Sequence, residues 1–253
     1  MSSAFLDHGA RLDRILAILV ALAVVAASAA SAMTVSPTHV ELISAGSGNR
    51  AMISVVNNGS QALPVEAIML RATLDEAGVP KTTKADEDFL IMPPQALIAP
   101  GATQNFRIQW LGDPMLESSQ SYLLYLSQIP VKLPATRSAV QVVMSIGVMI
   151  NVGPPRGLES LQVIETGVTT DKQGKRHPTL TVLNPSRVHA LLPQSTIRLA
   201  AGNWSTTLTS GLLKERVGIG LVEPGHRRKF ILPVDLPPGV GSIQAQLDFR
   251  PTR

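Results

Sequence analysis

The chain has no cysteine among its 253 residues. That absence excludes disulfide frameworks, thiolate zinc sites and cysteine nucleophiles together. Charge is scarce too, at 16% of residues against a hydrophobic share of 45%. This is the composition of a chain with a real core, which must hold its fold by burial alone. Sustained apolar repeats at i, i+3 and i+4 are missing, so helices are not expected. There is no G-x-S-x-G elbow and no G-x-x-x-x-G-K-[ST] phosphate loop. Beyond residue 32 the histidines are His39, His177, His189 and His226, in none of the short spacings of a metal site. Asp86-Glu87-Asp88 reads as a solvated loop cluster rather than a calcium site. The expectation is a protein that is not an enzyme and needs neither metal nor cofactor.

What is present starts with an address. Arg11 and Arg14 precede an unbroken apolar run from Ile15 to Ala26, and small residues follow, ending in Ala30-Ser31-Ala32. That is the order of a secretory signal peptide, and the run is short for a membrane span of about 20 residues. Export is expected, with cleavage after Ala32 and no stable membrane insertion afterwards. An uncleaved anchor is the rival reading. A net charge of +4 on an exported chain points away from nucleic acid and toward an acidic protein partner or a carboxylate.

Beyond Met33 the chain reads as strands punctuated by turns, and Gly and Pro are abundant at 19 each. Expected strands include Met52 to Val56, Val65 to Leu70, Phe89 to Met92, Leu97 to Ala99, Phe106 to Trp110 and Tyr122 to Ile129. The most regular segment is Val140 to Val152, with Val140, Val142, Met144, Ile146, Val148, Ile150 and Val152 at every second position. Side chains alternate across a strand, so these seven form one apolar face about 40 Å long. Gly153-Pro154-Pro155-Arg156-Gly157 then interrupts pairing, and a second series follows: Leu158 to Glu165, Thr179 to Leu183, Ser195 to Leu199, Trp204 to Leu208, Lys229 to Leu232 and Ile243 to Phe249. The pattern predicts an all-β protein of two immunoglobulin-like β-sandwich domains. The expected plan is a signal peptide over 1–32, a first domain over 33–152, a hinge over 153–158 and a second domain over 159–253. His226-Arg227-Arg228-Lys229 reads as a solvated hairpin end.

Several short motifs, in order, resemble the PapD-like periplasmic chaperones of chaperone–usher pili. They are Val35 to Leu42, Val55-Val56-Asn57-Asn58-Gly59, Pro93-Pro94, Ile98-Ala99-Pro100-Gly101, Phe106-Arg107-Ile108 and Tyr122 to Pro130. In the second half, Leu180 to Asn184 and Val222 to Gly225 with Ile231-Leu232-Pro233 continue the similarity. The resemblance implies two sandwiches set at an angle, pilus or fimbrial subunits and an outer-membrane usher as partners, and a periplasmic location. It also implies that the long strand completes a subunit's unfinished sandwich, with Val140, Val142, Met144 and Ile146 as the inserted side chains. All seven apolar residues packing into their own domain is the plainer reading of that face.

The family holds the subunit's terminal carboxylate with an Arg on its first strand and a Lys near the end of the long strand. Here those positions hold His39 and Met149, so the usual charges are absent or softened. Arg107, Lys132 and Arg137 are the other candidates, because an Arg fork can hold a carboxylate in two bonds. The alternative function is a secreted structural or adhesin component of a surface fibre. A pilus subunit, however, lacks its last strand, whereas this chain has a second domain and a long strand of its own.

Overall fold

A computed structural model describes residues 33–85, 87–130 and 143–251. The first sandwich contains β1 (Met33–Ser36), β2 (His39–Ile43), β3 (Arg50–Asn57), β4 (Leu63–Leu74), β5 (Pro80–Lys84), β6 (Phe89–Met92), β7 (Gln95–Ile98), β8 (Thr103–Trp110), β9 (Gln120–Gln128) and β10 (Ser145–Gly153). One sheet has the order β1-β3-β8-β6. The other has the order β2-β10-β9-β4-β5, with β7 also pairing with β4. Period-two patterning builds this layer: Phe106 and Ile108 are fully buried while Arg107 between them is exposed. Phe89, Trp110 and Tyr122 meet edge-on, with ring centroids 4.9–5.8 Å apart. Tyr122 places its hydroxyl 2.7 Å from Asp88 Oδ2, so part of the acidic loop supports the core and is not merely solvated.

The second sandwich contains β11 (Gln162–Thr170), β12 (Arg176–Leu183), β13 (Ala190–Leu191), β14 (Ser195–Ala201), β15 (Trp204–Leu208), α1 (Ser210–Arg216), β16 (Leu221–Val222), β17 (Arg227–Ile231) and β18 (Gln244–Phe249). Its sheets run β11-β12-β17, β13-β16 and β15-β14-β18, around a separate core that includes Leu180, Val182, Leu192, Ile197 and Phe230. Buried asparagines tie a turn in each sandwich. Asn57 donates to the Gln61 and Ile98 carbonyls, and Asn184 donates to those of Val188 and Val222.

Three expectations need correcting. A helix exists: Thr209 caps α1 by accepting from the Leu212 N–H at 3.4 Å. Its seven residues span less than two turns, too few for a helical repeat to stand out. The strand expected from Leu158 begins only at Gln162, because Gly157 turns the chain at φ +133° and Glu159 makes a lone bridge to Val188. The basic run His226 to Lys229 is a contact between the sandwiches. Arg227 pairs with Glu76 at 3.2 Å, and Lys229 N–H donates to the Glu76 carbonyl. Arg228 reaches the loop at Gly78, where φ is +90° and a Cβ would stand 2.2 Å from the guanidinium.

Candidate functional site

The long strand is shared between two uses. Val148, Ile150 and Val152 are fully buried in the first core, whereas Met144 and Ile146 only pack partly against it. β10 pairs with β9 along all but its last residue, from Ser145↔Ser127 to Val152↔Gln120. On its other side β2 pairs with it only from Met149↔His39 to Gly153↔Ile43. The cause is local. The chain crosses from one sheet to the other through Ser36-Pro37-Thr38, and Pro37 has no N–H to offer a ladder. Among the described residues, Ser145–Val148 therefore has no strand on that side.

The direction of each backbone group follows from two bonds. Gln128 N–H donates to the Met144 carbonyl, and Met149 N–H donates to the Thr38 carbonyl. Along an antiparallel pair the residues alternate in which neighbour they address. Met144, Ile146 and Val148 thus bond toward β9, while Ser145 and Gly147 point their N–H and C=O groups at the open side. Natural sheets shorten, charge or cover such edges. This one carries Ser145, Ile146, Gly147 and Val148, with no charge. Val140 and Val142 lie outside the described residues, as do Lys132 and Arg137.

The strand register sets His39 directly beside Met149. His39 is not free to serve as a cation. Its Nε2 lies 2.6 Å from Glu41 Oε1, which also accepts from Asn151 Nδ2 at 2.9 Å, and Glu41 Oε2 lies 2.5 Å from His189 Nε2 in the second sandwich. His189 in turn contacts Ser119 through Nδ1 and its backbone N–H. Burial pushes the Glu41 carboxyl up, but hydrogen bonds from His189, His39 and Asn151, with the His189 charge, outweigh it and lower it to about 2. Asn151 was visible in the sequence only as a polar residue within the long strand, and no local pattern marked Glu41 or His189. Arg107 is elsewhere. Its neighbours Phe106 and Ile108 point inward, so it faces out from the β1-β3-β8-β6 sheet, where it donates to Gln109. His39 faces out from the opposite sheet, since Val40 and Leu42 are buried, and the two do not share a site.

A depressed carboxyl contributes stability that is complete above its unfolded value and lost as pH falls through the folded one. For Glu41 that window runs from about pH 4.5 down to about 2. The side chain is 38% exposed, so screening limits the effect to about 1 kcal/mol. Urea denaturation across this range is expected to show a steeper loss for the natural chain than for Glu41→Gln. Equal slopes would contradict the role given to the cluster.

Residues 32–156 match the model of a family described as pili and flagellar-assembly chaperone, PapD N-terminal domain. No curated protein matches the chain. Among solved structures, a chain in the Salmonella enterica complex of the SafA pilin with the SafB chaperone is 15% identical, with TM-score 0.53, covering 88% of this chain and 99% of that one. The class 5 fimbriae chaperone CfaA is 12% identical, with TM-score 0.52, covering 87% and 100%. At these identities the structures speak for the fold.

Proposed function

Given that the chain is a PapD-like chaperone of pilus assembly, and so not an enzyme, we propose that it works in the periplasm by lending a strand to pilus subunits. The observation that carries the reading is the uncharged, unpaired edge at Ser145–Val148, beside the half-used apolar side chains Met144 and Ile146. An incoming strand would take its ladder bonds from Ser145 and Gly147. Val140, Val142, Met144 and Ile146 would fill the subunit's unfinished core. Such a complex keeps the subunit's apolar surface covered until an outer-membrane usher receives it.

Gly147→Pro tests the backbone part of this reading. A Cβ at Gly147 meets only ordinary contacts, the nearest 3.5 Å away at Tyr125. The N–H that proline removes faces the open edge, so pairing with β9 survives. The variant is expected to fold and to lose most of its subunit complex in co-purification from periplasm. A folded variant that retains the complex in full would overturn strand donation.

A further inference from the structure

We propose that His177 is a proton-operated clasp in the second sandwich. As an imidazolium it ties the segment after β17 to the turn between β11 and β12, and on losing its proton it lets that segment go. The clasp is independent of strand donation, which uses the first sandwich.

Two acceptors set the chemistry. His177, the second residue of β12, has Nε2 3.0 Å from Asp171 Oδ2 and Nδ1 3.2 Å from the Val234 carbonyl oxygen. Asp235 Oδ1 lies 3.4 Å from the same Nδ1. Neither a carbonyl nor an ionised carboxylate has a proton to give. A neutral imidazole carries one N–H, so it serves one side and turns a lone pair against the oxygen on the other. The imidazolium donates on both sides, and only this form satisfies the site.

The partners are held in place by other bonds. Asp171 Oδ1 accepts from the Gln173 and Lys175 N–H groups, at 2.9 and 2.8 Å, which leaves Oδ2 for His177. On the other side, the chain leaves β17 at Ile231 and runs on along β12. Leu232 N–H donates to the Pro178 carbonyl and Leu236 N–H to that of Arg176. Leu232 and Leu236 are buried in the second core, and His177 holds the Val234 carbonyl between them.

The charges around the ring favour its proton. Asp171 and Asp235 both face it. The opposing cation, Lys175, has its Nζ 3.2 Å from Asp235 Oδ2, but both members of that pair are exposed, so it offsets little. The hydrogen bond to Asp171 is the largest influence on the His177 pKa and raises it. Burial opposes that shift, while the Val234 carbonyl and the charges of Asp171 and Asp235 add to it. A raised imidazole contributes stability that is complete below its unfolded value of 6.5 and lost as pH rises through the folded one. The clasp is closed in mild acid and opens toward alkaline pH.

Amide exchange of Leu236 in the full chain reads the clasp, expressed as a protection factor so that the intrinsic effect of pH cancels. In the natural chain that factor is expected to fall about threefold from about pH 5.5 to about pH 8.5. His177→Gln should give the low value at both. Asp171→Asn separates the proton from the contact. Its amide can donate to Nε2, so a neutral ring with its proton on Nδ1 satisfies both partners, and Leu236 should stay protected throughout. Nitrogen NMR of the ring should place the His177 midpoint above 6.5 in the natural chain and lower in Asp171→Asn. Equal protection at both pH values in the natural chain, an equal fall in Asp171→Asn, or a midpoint at or below 6.5 in the natural chain overturns the clasp.

Discussion

Val142→Asp and Met144→Asp, made singly, are expected to weaken the subunit complex about a hundredfold or more while leaving the chain folded. A carboxylate forced into an apolar groove has no partner there, and the cost is several kcal/mol. About 3 kcal/mol already exceeds a hundredfold in affinity. Met144 only brushes its own core, so the free chain can turn an aspartate to water at that position. Co-purification from periplasm reads the complex, and circular dichroism reads the fold. A folded variant that binds undiminished would show that these side chains do not enter the subunit.

Ile150→Ala is expected to act in the opposite way, costing about 3–4 kcal/mol of stability. Ile150 lies on the same face as Met144, six residues further along, but it is fully buried. It stands between Tyr122 on β9 and Val40 on β2, both buried themselves, so the structure has little freedom to close over the gap. Met144→Ala, at a partly exposed site, should cost less than about 1 kcal/mol. Urea denaturation of the two variants places the point along β10 where the strand stops serving its own domain. Similar losses at both sites would mean that the whole apolar face belongs to the first core.

This division was only half legible in the sequence. The alternation from Val140 to Val152 announced a strand with one long apolar face, and the strands β3, β6, β8 and β9 fell close to their expected places. Alternation says which residues share a face but not what covers it. Burial of Val148, Ile150 and Val152 depends on β2, and β2 reaches β10 only after Pro37 has passed the chain between sheets. That is a long-range pairing, 112 residues apart between His39 and Asn151, and no local pattern encodes it.

The charged contacts were less legible still. His39 was a candidate cation by its place on the first strand, yet it is held by Glu41 two residues away, in a cluster completed by His189 from the other sandwich. Arg107 looked available, but the parity of its strand turns it out from the opposite sheet.

Backbone hydrogen exchange along β10, in the free chain and in its subunit complex, tests strand donation most directly. Ile146 and Val148 already bond toward β9, so their amides should be slow in both states. Ser145 and Gly147 face the open edge, so their amides should be fast in the free chain and slow about tenfold or more in the complex. Protection that appears on these alternate residues is the signature of an added strand. A stable complex in which Ser145 and Gly147 exchange as in the free chain would contradict it.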